Sequence, residues 1–211
     1  MWEFFKELTN PESIIEYGGL ALLLFVVFAE TGLFIGFFLP GDSLMFISGM
    51  ICSTKPALLN VSILTLIVAL IFSAIIGNMV GYWFGRKAGP ALFKKEDSLI
   101  FKKRYVEITD SFYKRHGGKT LILGRFLPII RTFAPILAGV IKIDFGKFML
   151  YNIIGAAAWV VSLVLAGFYL GKFQFVQDYI EYIIIFLIIV TMIPVIATYR
   201  RERKLARSKQ D

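Results

Sequence analysis

Long runs without a single charged side chain decide the class of this chain. Residues Ala57 to Gly85 contain no charge, and neither do residues Phe148 to Gly171. About 20 consecutive apolar residues suffice for a helix to cross a bilayer. Hydrophobic residues make up 57% of the 211 residues, and 18 glycines raise the apolar share to about two-thirds, against 45–50% for soluble domains. The sequence therefore predicts an integral membrane protein, and it excludes a soluble domain, a disordered chain and a disulfide scaffold.

Two further apolar segments, residues 18–51 and 120–141, are interrupted near their middles by ionisable side chains, glycine and proline. These residues are Glu30, Pro40, Gly41 and Asp42 in the first segment, and Arg125, Pro128, Arg131 and Pro135 in the second. Proline breaks a helix, and broken backbone at membrane depth is tolerated only inside protein or beside a water-filled cavity. We predict two re-entrant hairpins with proline-containing turns at their tips; kinked full spans are the alternative. A fifth apolar segment, residues 182–199, predicts a C-terminal span.

The basic residues are concentrated in two places. Residues 86–119 hold ten bases and four acids, and the tail 200–211 holds six bases and two acids. Because Lys and Arg mark the cytoplasmic side, we place both regions inside. The C-terminus is then cytoplasmic and the N-terminus outside, and the first hairpin opens outward while the second opens to the cytoplasm. This topology explains the net charge of +8 better than a nucleic-acid partner does. The start has no signal-peptide pattern, so we expect the first hydrophobic segment to be retained.

The two interrupted segments resemble each other. Residues 30–40 (ETGLFIGFFLP) and 118–128 (GKTLILGRFLP) agree at five of eleven positions, and GYWFGR at 81–86 parallels GFYLGK at 167–172. Chance similarity of apolar segments is the alternative. The predicted topology starts one copy outside and the other inside, and inverted repeats with broken helices at the midplane are typical of transporters. We predict an all-α polytopic membrane protein with an inverted repeat of amphipathic helix, re-entrant hairpin and transmembrane helix, plus a C-terminal transmembrane helix.

This organisation amounts to one membrane domain over residues 1–199. Repeat 1 covers about 1–86, repeat 2 about 97–172, and the C-terminal span 180–199; residues 200–211 form a basic cytoplasmic tail. Within repeat 2, residues 101–115 carry apolar side chains at helical spacing among basic ones, which predicts an interfacial amphipathic helix. The second apolar segment carries small residues at four-residue spacing, which let helices approach closely: Ser73, Gly77, Gly81, Gly85 and Gly89.

Four ionisable residues fall within the predicted hairpins: Glu30, Asp42, Arg125 and Arg131. Charges at membrane depth are costly and usually face a pathway or each other. Arginine presents a fork of donors that suits phosphate, whereas a carboxylate takes up a proton more readily when it is desolvated or near an anion. We predict that Arg125 and Arg131 bind an anionic headgroup and that Glu30 and Asp42 couple its movement to protons. Two ion pairs that merely hold the hairpins together are the alternative.

The remaining polar residues carry weaker signals. Asn78 and Asn152 either line a pathway or, as we prefer, hydrogen-bond a neighbouring helix. His116 is interpreted as an interfacial residue rather than a proton relay, and Cys52 as a small buried residue. The chain offers no cluster with metal-ligand spacing and no Ser/His/Asp or Cys/His arrangement, so we expect neither an enzyme nor a bound cofactor or metal.

These motifs resemble those of the bacterial DedA family of membrane proteins, which carry the VTT (SNARE-associated) domain. The similarity covers roughly residues 15–172. It rests on Glu30 ahead of FLPGDS at 38–43, on GNMVGY at 77–82, and above all on GRFLPIIRTFAP at 124–135 leading to Ala138 and Gly139. The important acidic and arginine residues of the family correspond to Glu30, Asp42, Arg125 and Arg131.

The resemblance implies a transporter or lipid scramblase of the bacterial cytoplasmic (inner) membrane, linked to recycling of undecaprenyl phosphate or to other phospholipids, to the proton motive force and to envelope integrity. We predict translocation of an anionic lipid coupled to protons. Membrane lipids and protons are the expected partners, together with further copies of the chain in a homo-oligomer, and no nucleic acid is expected. A proton-coupled transporter of small ions or drugs and a non-transporting membrane scaffold are the alternatives.

Overall fold

A computed structural model describes residues 11–33, 39–92, 110–111 and 113–178. The predicted C-terminal span, the basic tail and most of the predicted amphipathic helix at 101–115 lie outside these residues. Within them every regular element is helical. The longer helices are α1 (Pro11–Gly32), α2 (Gly41–Thr54), α4 (Ile63–Leu92), α6 (Pro128–Val140) and α7 (Phe145–Leu170), and the short ones are α3 (Pro56–Leu59), α5 (Thr120–Leu123) and α8 (Gln174–Asp178).

Two helices are long and apolar enough to cross a membrane: Ile63–Ala88 within α4, and Phe145–Leu170, which is α7. The outer face of α4 carries large apolar side chains at four-residue spacing, and all of them are exposed: Leu64, Val68, Phe72, Ile76 and Val80. A soluble protein does not present such a stripe to water, whereas lipid tails accommodate it. The prediction of an all-helical membrane protein is confirmed to this extent.

The start of the second apolar segment differs from the expected boundary at Ala57. Asn60 adopts a left-handed conformation (φ 49°) and ends α3, and α4 begins only at Ile63. The Ser62 hydroxyl accepts a hydrogen bond from the backbone N–H of Thr65 at 3.1 Å, which caps the new helix. The hydrophobicity of the sequence does not predict this turn, because the residues on both sides of it are apolar.

Both interrupted segments are broken, but only some of their prolines lie at the breaks. The first helix of the first segment ends at Gly32, and α2 starts after Pro40. In the second segment Leu127 is extended (φ −118°, ψ 109°) and α6 starts at Pro128, where a missing N–H costs nothing. Pro135, by contrast, lies inside α6, which continues through it.

The two halves pack crosswise. Helix α2 of the first half lies against α7, and α6 of the second half lies against α4. Glycines permit both contacts: a Cβ on Gly49 would lie 2.9 Å from the carbonyl carbon of Val164, and one on Gly139 would lie 2.7 Å from the backbone nitrogen of Arg86. The two longest helices, α4 and α7, therefore each pack closely against a helix from the other half of the chain.

The helix breaks lie level with the middle of the long helices. A Cβ on Gly32, the last residue of α1, would lie 2.6 Å from the carbonyl oxygen of Gly77, halfway along α4. Helices α4 and α7 run antiparallel, since the Tyr82 ring near the end of α4 stacks on Phe148 near the start of α7 with centroids 4.4 Å apart. The ends of both interrupted helices thus converge on the interior between α4 and α7.

Candidate functional site

Arg131 joins the two halves of the chain by bridging two acids. Its Nη1 donates to Oδ1 of Asp42 at 2.8 Å, and its Nη2 pairs with Oε1 of Glu30. Glu30 comes from the end of α1, Asp42 from the first turn of α2 and Arg131 from the first turn of α6. Glu30 is 1% exposed and Arg131 4%, whereas the Asp42 side chain keeps 22% of its surface exposed. The three residues form a single bridge, with one cation between two acids.

Gly41 makes room for this bridge. A Cβ at Gly41 would lie 2.7 Å from Cδ of Glu30 and closer still to its Oε2. Any side chain at this position would therefore displace the buried carboxylate. The glycine that follows Pro40 is therefore required by the close approach of an acid.

Trp159, in the middle of α7, completes the contacts around Asp42. The indole Nε1 donates to Oδ1 of Asp42 at 2.9 Å. Its ring lies 5.0 Å from Cζ of Arg131 and 5.8 Å from Cζ of Arg125, both within the range of a cation–π interaction. Trp159 therefore links the acid-bridging arginine to the second arginine of the same segment.

Arg125 has different surroundings. It lies in the 3-10 turn Gly124–Phe126 just before the helix break, and it is 2% exposed. Its Nη2 donates to Oδ1 of Asn152 at 2.5 Å and lies 3.3 Å from the carbonyl oxygen of the same residue. Among the described residues, Nε and Nη1 of Arg125 are buried without a hydrogen-bond partner, and no acid forms an ion pair with it.

Asn78 and Asn152 connect the two long helices beside Arg125. Nδ2 of Asn78 donates to Oδ1 of Asn152 at 2.9 Å, and Nδ2 of Asn152 donates to the carbonyl oxygen of Ile75 at 3.2 Å. Turning the Asn78 amide by 180° places its oxygen 2.8 Å from Nη2 of Arg125 and its nitrogen 3.1 Å from the carbonyl oxygen of Thr31. Only the turned amide accepts a hydrogen bond from Arg125, whereas in both orientations the Asn78 amide lies 2.9 Å from Oδ1 of Asn152. Each asparagine thus contacts the neighbouring helix, as preferred from the sequence.

The four ionisable residues selected by the free-energy cost of charge in a bilayer lie together in the structure, but they do not form two separate ion pairs. Arg131 takes both acids, and Arg125 takes none of those in the described part of the chain. Sequence reasoning missed Trp159. One signal was available: a tryptophan in the middle of an uncharged span needs a partner for its N–H once it is buried.

Gly77, Gly81 and Gly85, the glycines of α4 whose surroundings the structure describes, all lie at helix contacts, though not equally close ones. A Cβ on Gly77 would lie 2.7 Å from the carbonyl oxygen of Phe28, and one on Gly85 would lie 2.8 Å from the carbonyl carbon of Ile136. A Cβ on Gly81 would meet nothing closer than 3.5 Å. Gly77 and Gly85 therefore set the distances from α4 to α1 and α6, and Gly81 does not.

The family assignment follows from comparison with known proteins. A family model described as the VTT domain matches residues 39–169, which run from just before α2 to the end of α7. The protein DedA of Escherichia coli (strain K12) is 42% identical over 200 residues, covering 93% of this chain and 90% of that protein. The chain belongs to the DedA family of membrane proteins. The matched region contains Asp42, Arg125, Arg131 and Trp159, whereas Glu30 precedes it.

More distant relatives agree with this assignment. A membrane protein of Mycobacterium tuberculosis (strain ATCC 25618 / H37Rv) is 39% identical over 193 residues, covering 90% of this chain and 84% of that protein. The inner membrane protein YqjA of Escherichia coli (strain K12) is 32% identical over 169 residues, covering 80% of this chain and 74% of that one. No solved structure matches the chain. The resemblance read from the motifs is confirmed, and with it the assignment of this DedA-family chain to a membrane.

Proposed function

We propose that this chain translocates an anionic lipid across the bacterial cytoplasmic membrane and that protons are coupled to the movement. One observation carries the proposal: two arginines and two acids are gathered between two long apolar helices, and one of the arginines, Arg125, has no acid partner among the described residues. Buried charge is costly, and a purely structural centre gains nothing from a guanidinium without a counter-charge. A phosphate headgroup supplies that charge. The family resemblance points to undecaprenyl phosphate as the lipid.

The coupling follows from competition for the guanidinium groups. An anion that enters the centre competes with Glu30 and Asp42 for their cation, and a carboxylate that loses a cationic partner binds a proton more readily. Movement of the headgroup and uptake of a proton are then linked, because each weakens the same ion pairs. In this scheme Arg125 and Arg131 supply the positive charge of the substrate site, and Glu30 and Asp42 carry the protons.

We further propose that the two interrupted segments are re-entrant hairpins related by an inverted repeat. Three features support this. The end of α1 at Gly32 lies beside the middle of α4, and the two long helices α4 and α7 run antiparallel. The C-terminal ends of α4 and α7 also carry matching cation–aromatic contacts. Arg86 lies 6.0 Å from the ring of Tyr82, four residues earlier, and Nζ of Lys172 lies 4.5 Å from the ring of Phe168, also four residues earlier. The proposal places these two contacts at opposite membrane surfaces.

The proposed topology is testable with cysteine labelling. In a Cys52→Ser background, the Lys87→Cys variant is expected to react with a membrane-impermeant maleimide only in inverted vesicles, and the Lys172→Cys variant only in intact cells. Labelling of both from the same side would exclude the inverted arrangement.

The pairing of Arg131 with two acids favours a second candidate, a membrane scaffold without transport. Both of its terminal nitrogens face carboxylates, which is what a purely structural clamp requires. Transport distinguishes the two functions.

The deciding experiment is reconstitution of the full chain in vesicles with labelled undecaprenyl phosphate. The wild type is expected to move the label between leaflets, and Arg131→Ala is expected to abolish the movement. Arg86→Ala is the matched control, because Arg86 is an exposed arginine at the end of α4. Wild-type vesicles that behave like protein-free vesicles would exclude translocation of this lipid and leave the scaffold.

Proton coupling has its own variant. Glu30→Gln keeps the shape and removes the ionisable group, so we expect it to lose the dependence of translocation on the proton gradient while it still binds the lipid. An unchanged pH dependence in this variant would exclude Glu30 as the coupling residue.

A further inference from the structure

The two buried arginines are not equivalent in the contacts of their nitrogen atoms. Both terminal nitrogens of Arg131 face carboxylates, one from Glu30 and one from Asp42, and only its Nε is buried without a described partner. Arg125 uses only Nη2, which faces Asn152, and its Nε and Nη1 are buried without a described partner. Since Nε and Nη1 carry most of the N–H donors of a guanidinium, Arg125 keeps most of its hydrogen-bonding capacity unused.

The charges divide in the same way. Glu30, Asp42 and Arg131 together carry a formal net charge of −1, and Arg125 carries +1. The Trp159 ring lies near both guanidinium groups, 5.0 Å from Cζ of Arg131 and 5.8 Å from Cζ of Arg125. The positive charge open to an anion is therefore on the Arg125 side of the centre.

Binding an anion costs different amounts at the two positions. A phosphate that binds Arg131 first has to displace two carboxylates, of which Glu30 is almost fully buried. A phosphate that binds Arg125 meets N–H donors that are already desolvated and unpaired, and a buried unpaired donor gains the most from a new acceptor. Asn152, which holds the third nitrogen, fixes the direction in which the free donors point.

We infer that Arg125 is the residue that binds the phosphate of the lipid headgroup, and that Arg131 acts as the counter-charge of Glu30 and Asp42. The inference rests on the proposed function and assigns separate roles within its site. Asn152 is then a positioning residue for Arg125. Trp159 contacts both Arg125 and Asp42, so it connects phosphate binding at Arg125 to the environment of Asp42.

The test is equilibrium binding to the full chain in detergent, read from the fluorescence of Trp159. Trp2→Phe and Trp83→Phe remove the other two tryptophans. The protein is titrated with dodecyl phosphate, with inorganic phosphate and with the zwitterionic dodecylphosphocholine. Binding of dodecyl phosphate alone identifies a lipid headgroup site, and equal binding of inorganic phosphate identifies a site for the free anion; the zwitterion is expected not to bind.

Three variants separate the two arginines. Arg125→Gln is expected to weaken dodecyl phosphate binding by about tenfold or more, the loss typical of hydrogen bonds to a charged group. The double variant Glu30→Gln/Arg131→Gln removes one acid and one base, so the net charge of the centre is unchanged, and its affinity is expected to stay within about threefold of the wild type. Arg86→Gln, which removes an exposed arginine, is the control for overall charge.

The outcomes are decisive even if one variant misfolds. Wild-type affinity in Arg125→Gln, or loss of binding in the double variant, would overturn the assignment, and so would a wild type that binds none of the probes. If Arg125→Gln does not fold, the double variant decides alone: it either retains binding, which supports the assignment, or loses it. Vesicle translocation is scored separately, so a wild type that binds dodecyl phosphate but moves no lipid contradicts the proposed function and not the assignment of Arg125.

Discussion

Substituting Gly85 by alanine tests the close contact between α4 and α6. A Cβ at Gly85 would lie 2.8 Å from the carbonyl carbon and 3.0 Å from Cα of Ile136, whereas ordinary contacts begin at 3.4 Å. The neighbouring atoms are backbone, so no side chain can turn aside, and the helices must separate by at least 0.6 Å (3.4 − 2.8). Overpacking of this kind typically costs about 1–3 kcal/mol of unfolding free energy.

Gly81→Ala is the matched control on the same helix, one turn earlier. Its Cβ would lie 3.5 Å from the side chains of Ile136 and Pro135, which is ordinary van der Waals contact. Both variants gain about the same helix propensity, up to about 1 kcal/mol, so the difference between them isolates the steric cost. We expect Gly85→Ala to be the less stable of the two by about 1–3 kcal/mol.

The assay is thermal unfolding of both variants in the same detergent, followed by circular dichroism. For a chain of this length about 1 kcal/mol corresponds to roughly 2–4 °C, so the melting temperatures are expected to differ by several degrees. Equal melting temperatures would refute the reasoning, because they would mean that α4 and α6 are not held at the distance that Gly85 sets. Lower stability of Gly81→Ala would refute it more strongly.

Three further substitutions are each expected to lower the free energy of unfolding because each removes one specific contact. Arg131→Leu leaves the buried Glu30 without its cation and is expected to cost about 3–5 kcal/mol in detergent unfolding, with part of the loss recovered when Glu30→Gln is added; no recovery would exclude the ion pair as the cause. Trp159→Phe keeps an aromatic ring but removes the 2.9 Å hydrogen bond to Asp42, and is expected to cost about 1.5–3 kcal/mol in the same assay; wild-type stability would contradict it. Ser73→Ala removes a 2.6 Å hydrogen bond to a main-chain carbonyl of α1 and is expected to cost about 0.5–1.5 kcal/mol of unfolding free energy; unchanged stability would show that this bond does not hold α4 to α1.

The sequence predicts the helix breaks and the meeting of the charges for clear physical reasons. Proline disfavours the helix interior through local sterics. Pro40 and Pro128 therefore indicate interruptions whatever the tertiary packing of the chain. Charged side chains inside a bilayer seek one another because lipid offers them no partner, so residues as far apart as Glu30 and Arg131 are predicted to converge.

The arrangement inside the centre does not follow from the sequence. Whether one arginine takes two acids or each takes one depends on side-chain reach after the helices have packed, and on the indole N–H of Trp159, which helps to hold Asp42. The same limit applies to the glycines of α4. Gly77, Gly81 and Gly85 share one spacing, yet only two of them touch a neighbouring backbone, because α1 and α6 cross α4 at an angle that spacing does not encode.

The crosswise packing has a consequence for how the ribosome delivers this protein to the membrane. Glu30 and Asp42 are synthesised 101 and 89 residues before Arg131, which at 5–20 residues per second is about 5–20 s of translation. During that time the two acids are in the nascent chain without the cation that neutralises them. The helices that pack against α2 and α4, namely α7 and α6, have not yet been synthesised. We therefore expect the final packing of the first half to wait until the second half has been synthesised.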